Sequence, residues 1–501
     1  MSQTRNQPPS GEPDAASPSV REASQTRVSE HVPKTDGATP GRTWGSLRPL
    51  LLRLHFYAGV LVGPFLLVAA LTGLAYTLTP QLDRLAYGDR LLVEDVGTDP
   101  MPVSVQIAAA RSVHPEGTLT SVVVPSAPED TTRVVLSVPG LGDDRQRTVF
   151  VDPYTAEVQG ELTTWSGSTP VTHWLTDLHR NLHLGENGRL YSEVAASWLW
   201  VMVAGGLVLW LARARTRRGE RARALLLPER SARGVRRTRS RHAVVGVWIT
   251  AGLLVLSMTG LTWSRYAGDR FGQLLDAAQA HAPELVTELP GAPTATGDDP
   301  AEHQDHVGHE GGADTAAADP VAFDEALAVA REAGLGGKVV LTPPADSATA
   351  WTVAQDDDRW PVHYDRVAVD AAAGEVVSHS RWADYPVLAK LSRLGVQGHM
   401  GLLFGPVNQI VLAVIALGLV FVILWGYRMW WQRRPRRAGR TALFGKAPAR
   451  GAWRSLPLPV LLIGVPAVLA LGWALPVLGV TLLAFLVVDV VLGLARRAGA
   501  T

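Results

Sequence analysis

Residues 55–73 read HFYAGVLVGPFLLVAALTG, and residues 242–260 read HAVVGVWITAGLLVLSMTG. Aligned on the histidine, both carry Gly at +4 (Gly59, Gly246), Thr at +17 (Thr72, Thr259) and Gly at +18 (Gly73, Gly260). Arginine lies just before each histidine (Arg53, Arg241). A second pair follows the same logic: His179 has Gly185 at +6 and His399 has Gly405 at +6, each just upstream of another apolar run. The chain is therefore an internal duplication, and each half contributes two apolar helices introduced by a histidine.

The 47% hydrophobic content is ordinary for 501 residues, but it falls in blocks. Runs near 54–78, 191–212, 243–264 and 402–426 are each apolar over roughly the 20 residues that a bilayer crossing needs. Only a helix satisfies its own backbone over that length in lipid. The run 456–495 is too long for one crossing, and Gly472–Pro476 would fold it into a hairpin. The expected fold is a membrane α-helical bundle of about six transmembrane helices.

Charge orients it. Segment 213–241 has twelve Arg against Glu220 and Glu229, and segment 428–455 has eight Arg and Lys446 with no acid. The long loops reverse this: sixteen acids to eight bases over 80–193, then twenty-two to nine over 265–397. Short Lys/Arg-rich loops stay cytoplasmic. Both termini are thus expected inside and both long loops outside, in a multi-pass protein of the cell membrane. The net charge of +1 conceals the segregation.

The chain divides accordingly: a disordered cytoplasmic tail (1–44), helix 1 (45–79), an outer module (80–190) and helix 2 (191–212). A basic loop (213–241), helix 3 (242–264), a linker with a second outer module (265–397) and helix 4 (398–427) follow. A basic loop (428–455) and the hairpin of helices 5 and 6 (456–495) close it. No apolar core with a small-residue cleavage site precedes Leu50, so no cleaved signal peptide is expected. The outer modules repeat too. Each runs from a helix-like stretch (Val105–Ser112; Phe323–Ala333) through β-rich segments to a strand, an Asp and a Glu-Val strand. The first ends Asp152-Pro153-Tyr154-Thr155. The second ends Asp370-Ala371-Ala372-Ala373, without the Pro, so a different turn is expected there.

The absence of cysteine excludes disulfides, thiolate-bound iron or zinc, and thioether-linked haem. What remains for metal chemistry is imidazole. Helices 1 and 3 enter from inside, so His55 and His242 form an inner pair. Helices 2 and 4 enter from outside, so His179 and His399 form an outer pair, with His183, one turn on, as the alternative to His179. Haem iron takes two axial ligands on opposite faces, and neutral imidazole supplies them. Gly59 and Gly246, one turn below the inner histidines, would give the macrocycle room. Arg53 and Arg241 could meet propionates or simply obey the positive-inside bias. A single histidine at a helix end is more often an interfacial residue, and the Thr-Gly pairs read as helix packing. It is the matched offsets in both halves that favour ligation. Asp489 lies inside the last apolar run, where an acid is a functional candidate or a partner of nearby Arg496 and Arg497. His303, His306 and His309, among acids in the linker, are weak candidates for a divalent metal; a polar linker is the preferred reading.

These residues together resemble the PepSY-associated transmembrane family, also described as iron-regulated membrane proteins. The likeness rests on Leu54-His55 with Gly59 and Thr72-Gly73, on Leu178-His179-Arg180 with Leu184-Gly185 and Gly188, on His242 with Gly246 and Thr259-Gly260, and on His399-x-Gly401 with Phe404-Gly405. The Val-Asp-Pro-x-Thr-x-Glu-Val run at 151–158 is similar to the end of a PepSY module. The resemblance covers residues 45 to about 435. It implies two small α+β PepSY-like extracytoplasmic modules and two haem b groups held by paired histidines. In some members it implies a ferric-siderophore reductase passing electrons outward. The chain has no G-x-G-x-x-G fingerprint opening a βαβ unit, so quinol or a separate reductase would be the donor. Two other readings stand beside this one: a membrane-anchored PepSY protein regulating an outer partner such as a peptidase, and a metal permease.

Overall fold

The computed structural model describes residues 40–142, 144–216, 226–290, 319–357, 360–433 and 458–498. The candidate metal ligands His303, His306 and His309 lie outside the described residues.

The first apolar run is two helices, α1 (Pro40–Leu61) and α2 (Gly63–Tyr76), bent by 56° at Val62. Pro64 explains the bend. It has no N–H for the carbonyl of Val60, and its ring cannot pack on the preceding turn. The orphaned Val60 carbonyl accepts from the hydroxyl of Tyr427 at 3.1 Å. Gly63 makes room for that hydroxyl, which would lie 2.9 Å from any Cβ built there. After α3 (Thr79–Leu91) and α4 (Val103–Val113) come strands β1 (Thr118–Val124), β2 (Thr132–Ser137), β3 (Gln146–Val151) and β4 (Val158–Thr164). A short amphipathic helix α5 (Pro170–Asn181) then leads to the long α6 (Gly185–Thr216).

The second half repeats the order. Helix α7 (Gly234–Leu261) is the counterpart of the α1–α2 pair but runs unbroken. Ala251 stands at its equivalent of Pro64. Helix α8 (Arg265–Ala277) and helix α9 (Pro320–Glu332) precede β5 (Val339–Thr342), β6 (Trp351–Gln355), β7 (Arg366–Asp370) and β8 (Glu375–Ser380). Helix α10 (Val387–Met400) then leads to α11 (Pro406–Gln432), and α12 (Leu458–Ala474) and α13 (Pro476–Ala498) form the closing hairpin.

Among the described residues, four helices are long and apolar enough to cross a membrane: α6, α7, α11 and α13. The bent α1–α2 pair makes a fifth. The expected sixth, α12, has 17 residues. At 1.5 Å per residue that is about 25 Å, short of a hydrocarbon core of about 30 Å. None of its residues is buried. Large apolar side chains along α11, α12 and α13, such as Val407, Leu462, Ile463 and Val480, are exposed, as a lipid-facing surface requires. The hairpin docks through α13: Trp198 donates to Thr481 Oγ1 at 2.8 Å, and Asp489 pairs with buried Arg53 of α1. Asp489 thus answers Arg53 across the bundle.

The two α+β repeats are not separate bodies. Strands β1 and β5 pair antiparallel (Val123 with Val340), giving one eight-stranded sheet in the order β4-β3-β2-β1-β5-β6-β7-β8. Helices α4 and α9 pack side by side on one face over a shared core that includes Ile107, Val134, Phe323 and Val353. The joint removes two open strand edges. The closing turns of the two repeats match despite the missing Pro. Asp152 Oδ1 accepts from the backbone of Tyr154 and Thr155 (2.8 and 3.2 Å), and Asp370 Oδ1 from Ala372 and Ala373 (3.0 and 3.1 Å). The aspartate, not the proline, makes this turn.

Candidate functional site

Four histidines meet in two pairs inside the bundle. The His55 and His242 rings have centroids 6.2 Å apart, and the His179 and His399 rings 6.3 Å apart. His183 belongs to neither pair. It lies in the tight break between α5 and α6, exposed and tilted against Trp174, with its ring centroid 5.1 Å from the indole's. The +6 glycines explain both breaks. Gly185 (φ 56°) and Gly405 (φ 58°) adopt left-handed backbone at the start of α6 and α11, letting α5 and α10 turn off the long helices. The break puts His179 and His399 at helix ends next to the bundle rather than far above it.

Each half builds part of both pairs. Its first span, the bent α1–α2 pair or α7, supplies an inner histidine and, 17 and 18 residues on, the Thr-Gly pair that cradles an outer one. His179 Nδ1 lies 3.0 Å from Thr72 Oγ1, and a Cβ on Gly73 would sit 3.0 Å from the His179 ring. His399 Nδ1 lies 2.8 Å from Thr259 Oγ1, and a Cβ on Gly260 would come within 3.2 Å of its ring. The second helix of each half returns the favour. His55 Nδ1 meets the carbonyl of Met202 at 3.1 Å, and His242 Nδ1 meets that of Val422 at 2.9 Å. Met202 and Val422 each lie 17 residues beyond the glycine that starts their helix. Four residues further on, Gly206 would bring a Cβ within 3.3 Å of the His55 ring, and Gly426 one within 3.8 Å of His242.

These partners fix the tautomers. A carbonyl can only accept, so Nδ1 of His55 and His242 carries the proton. The threonine hydroxyls donate to their own helices, Thr72 to Val68 O (2.9 Å) and Thr259 to Val255 O (2.7 Å), and so accept from the outer imidazoles. In all four rings the nitrogen left with a free lone pair is Nε2. Metal-ligating histidines are oriented by a hydrogen bond from their other nitrogen in this way. With metal–imidazole bonds of about 2.0 Å and a nitrogen-to-centroid distance of about 1.2 Å, two rings on opposite sides of one metal have centroids about 6.4 Å apart. Both pairs match this. Among the described residues no group of three or more His, Asp or Glu is arranged to hold an ion, so each pair offers a metal two ligands and no more.

The two pairs occupy opposite ends of the bundle. His242 and Gly260, which touches His399, are eighteen residues apart on unbroken α7, about 27 Å at 1.5 Å per residue. The outer pair lies toward the sheet: α5 packs on β4, and α10 is tied to the second repeat by Arg393 and Asp356 at 3.4 Å. A cavity of about 300 Å³ surrounds it. Its walls are mainly apolar, among them Leu66, Ala70, Leu199, Leu253 and Leu419, and it includes His179 and His399.

A family model described as the PepSY-associated TM region matches residues 52–433. The chain belongs to that family. The PepSY-associated TM match takes in both histidine pairs, both Thr-Gly cradles and the whole sheet; the α12–α13 hairpin falls beyond it. No curated protein matches the chain.

The sequence reading missed several members of this site. Near the inner pair, Gly59 faces Met202, and nothing lies within 4 Å of a Cβ on Gly246. The glycines against the inner rings are Gly205, Gly206 and Gly426. Aligning the halves on Gly185 and Gly405 would have found Gly206 and Gly426, both at +21. The Thr-Gly pairs, read as packing, do bond back to their helices, but they also hold the outer rings. Arg53 is engaged by Asp489 on the face of α1 away from His55.

Proposed function

We propose that the chain is a haem-b transmembrane electron carrier, with His55 and His242 holding one haem and His179 and His399 the other. Its acceptor would be a ferric siderophore or other ferric chelate on the sheet side, making it a ferric-chelate reductase. The observation that carries the reading is the repeated geometry. Two pairs of imidazoles have ring spacings suited to a shared metal, every Nδ1 is anchored, and every Nε2 is left with a lone pair. A metal with two protein ligands needs the rest from elsewhere, and a macrocycle supplies four in a plane. The glycines against each ring and the apolar cavity at the outer pair suit a flat, largely apolar group. Bound haem would supply one-electron chemistry.

The protein's own part is to orient. Met202 and Val422 carbonyls, and Thr72 and Thr259 hydroxyls, hold the rings in the ligating tautomer. Apolar walls exclude water, and the bundle spaces the pairs by about the thickness of a membrane core. The segregation of acids to the sheet loops and arginines to the opposite loops supports a plasma-membrane protein with its termini in the cytoplasm and the sheet outside. The donor would then act inside, as quinol or a separate reductase.

The test uses proteoliposomes with chemically reduced protein, mixed rapidly with ferric chelates of different charge outside. Reoxidation of the b-type spectrum coupled to the appearance of Fe(II) is expected. Haem present but reoxidised no faster by any ferric complex than by buffer would overturn the reductase reading. A colourless protein would overturn the haem reading, and leave the sheet as a binding module for an outer partner.

A further inference from the structure

The cavity at the outer histidine pair is polarised. Its walls are largely leucine and alanine, but two guanidiniums, Arg180 and Arg189, and the carboxylate of Glu193 line it as well. The carboxylates near them have other partners: Glu193 accepts from the backbone N–H groups of Tyr266 and Ala267 at 3.2 and 2.9 Å. Asp177 bonds Asn181 at 3.4 Å and His173 at 3.6 Å. Glu186 is shared between Arg189 at 3.3 Å and Arg265 at 2.6 Å. Arg180 and Arg189 therefore bring two guanidiniums to a largely apolar cavity, and the first of them has no direct ion-pair partner among the described residues. A cavity with an apolar body and two guanidiniums on its wall, one without an ion-pair partner, suits a ligand with an apolar body and an anionic edge.

We infer that Arg180 and Arg189 form a carboxylate clamp, holding the carboxylates of the planar ligand seated between His179 and His399. This rests on the haem reading above, under which those carboxylates are the propionates. The inner pair has no such clamp from Arg53, whose guanidinium faces Asp489. The clamp would offset the propionate charge, which otherwise favours the ferric state. The outer midpoint potential should therefore be raised by these two arginines.

The test is a spectroelectrochemical titration of purified full-length protein with Arg180→Gln, Arg189→Gln and both together. In the double variant the outer potential falls and the inner is unchanged. The outer haem also dissociates about tenfold faster or more, as expected for losing charge-assisted hydrogen bonds. Wild-type protein reconstituted with the dimethyl ester of haem should show the same loss of outer retention as the double variant, and the double variant should lose nothing further with the ester. Unchanged outer potential and retention in a double variant that still holds two haems would overturn the clamp while leaving the haem reading intact. If the double variant keeps its haem but loses binding of ferric citrate, the arginines serve the acceptor, and the propionate assignment is overturned. Wild-type protein that binds no haem would overturn both readings at once, before any variant is made.

Discussion

The inner and outer histidine pairs have nearly the same ring spacing but different supports. Main-chain carbonyls of Met202 and Val422 hold the inner rings, and the side-chain hydroxyls of Thr72 and Thr259 hold the outer ones. A carbonyl cannot be mutated away and can only accept, so the inner tautomer is built into the helix. A threonine can be replaced, and its hydroxyl accepts only because its proton is committed to the preceding turn. The outer pair is therefore the adjustable one. It also lines a cavity of about 300 Å³ and lies toward the sheet.

The largest expected effect comes from removing a ligand. His55→Ala and His242→Ala should each abolish the same half of the haem content, and His179→Ala and His399→Ala the other half. Haem extracted per chain, with potentials to tell the halves apart, checks the pairing. His183→Ala should leave both halves in place, because His183 is exposed against Trp174. If His55 and His242 variants lose different haems, the pairing across the halves is wrong.

Next come the supports. Thr72→Val and Thr259→Val should weaken the outer haem about tenfold to a hundredfold, the range found for partners of metal-ligating histidines. The inner haem should not change. Thr→Ser at either position should restore retention. An equal effect on both haems would erase the proposed contrast between hydroxyl and carbonyl support.

Steric probes are expected to act less strongly. Gly73→Ala or Gly260→Ala puts a methyl group 3.0–3.2 Å from an outer ring. About 1–3 kcal/mol of overpacking is expected, read as lowered outer-haem retention. Gly88→Ala, on α3 and outside both pairs, is the control, since nothing lies within 4 Å of its Cβ.

The smallest effect lies far from the pairs, at the end of α4 beside the sheet. His114 bridges Glu161 and Glu116, and these carboxylates raise its pKa above the usual histidine value, Glu161 contributing most. A raised folded pKa stabilises below the unfolded value of about 6.5 and fades as pH rises through the folded one. Wild-type protein should lose a little thermal stability over that window. His114→Gln should be flat across it.

Much of this was legible in the sequence because duplication is visible in matched offsets. The helix and strand stretches of both outer repeats, from Val105 and Phe323 onward, follow from local pattern. The joining of β1 to β5 does not, since edge pairing between repeats leaves no mark on either one. The bend at Val62 follows from Pro64, but Tyr427, which satisfies the freed Val60 carbonyl, sits far along the chain. The four histidines could be read; the carbonyls that hold His55 and His242 could not, because every residue has one. Thr72 and Thr259 were visible yet ambiguous, as back-bonding and ring support use the same hydroxyl.

The most direct test is the dithionite-reduced minus oxidised absorption spectrum of the purified full-length protein, with extracted haem counted per chain. The account predicts b-type bands and two haems per chain, falling to one in a His55→Ala/His242→Ala double variant. A colourless protein, or two haems retained in that variant, would contradict it.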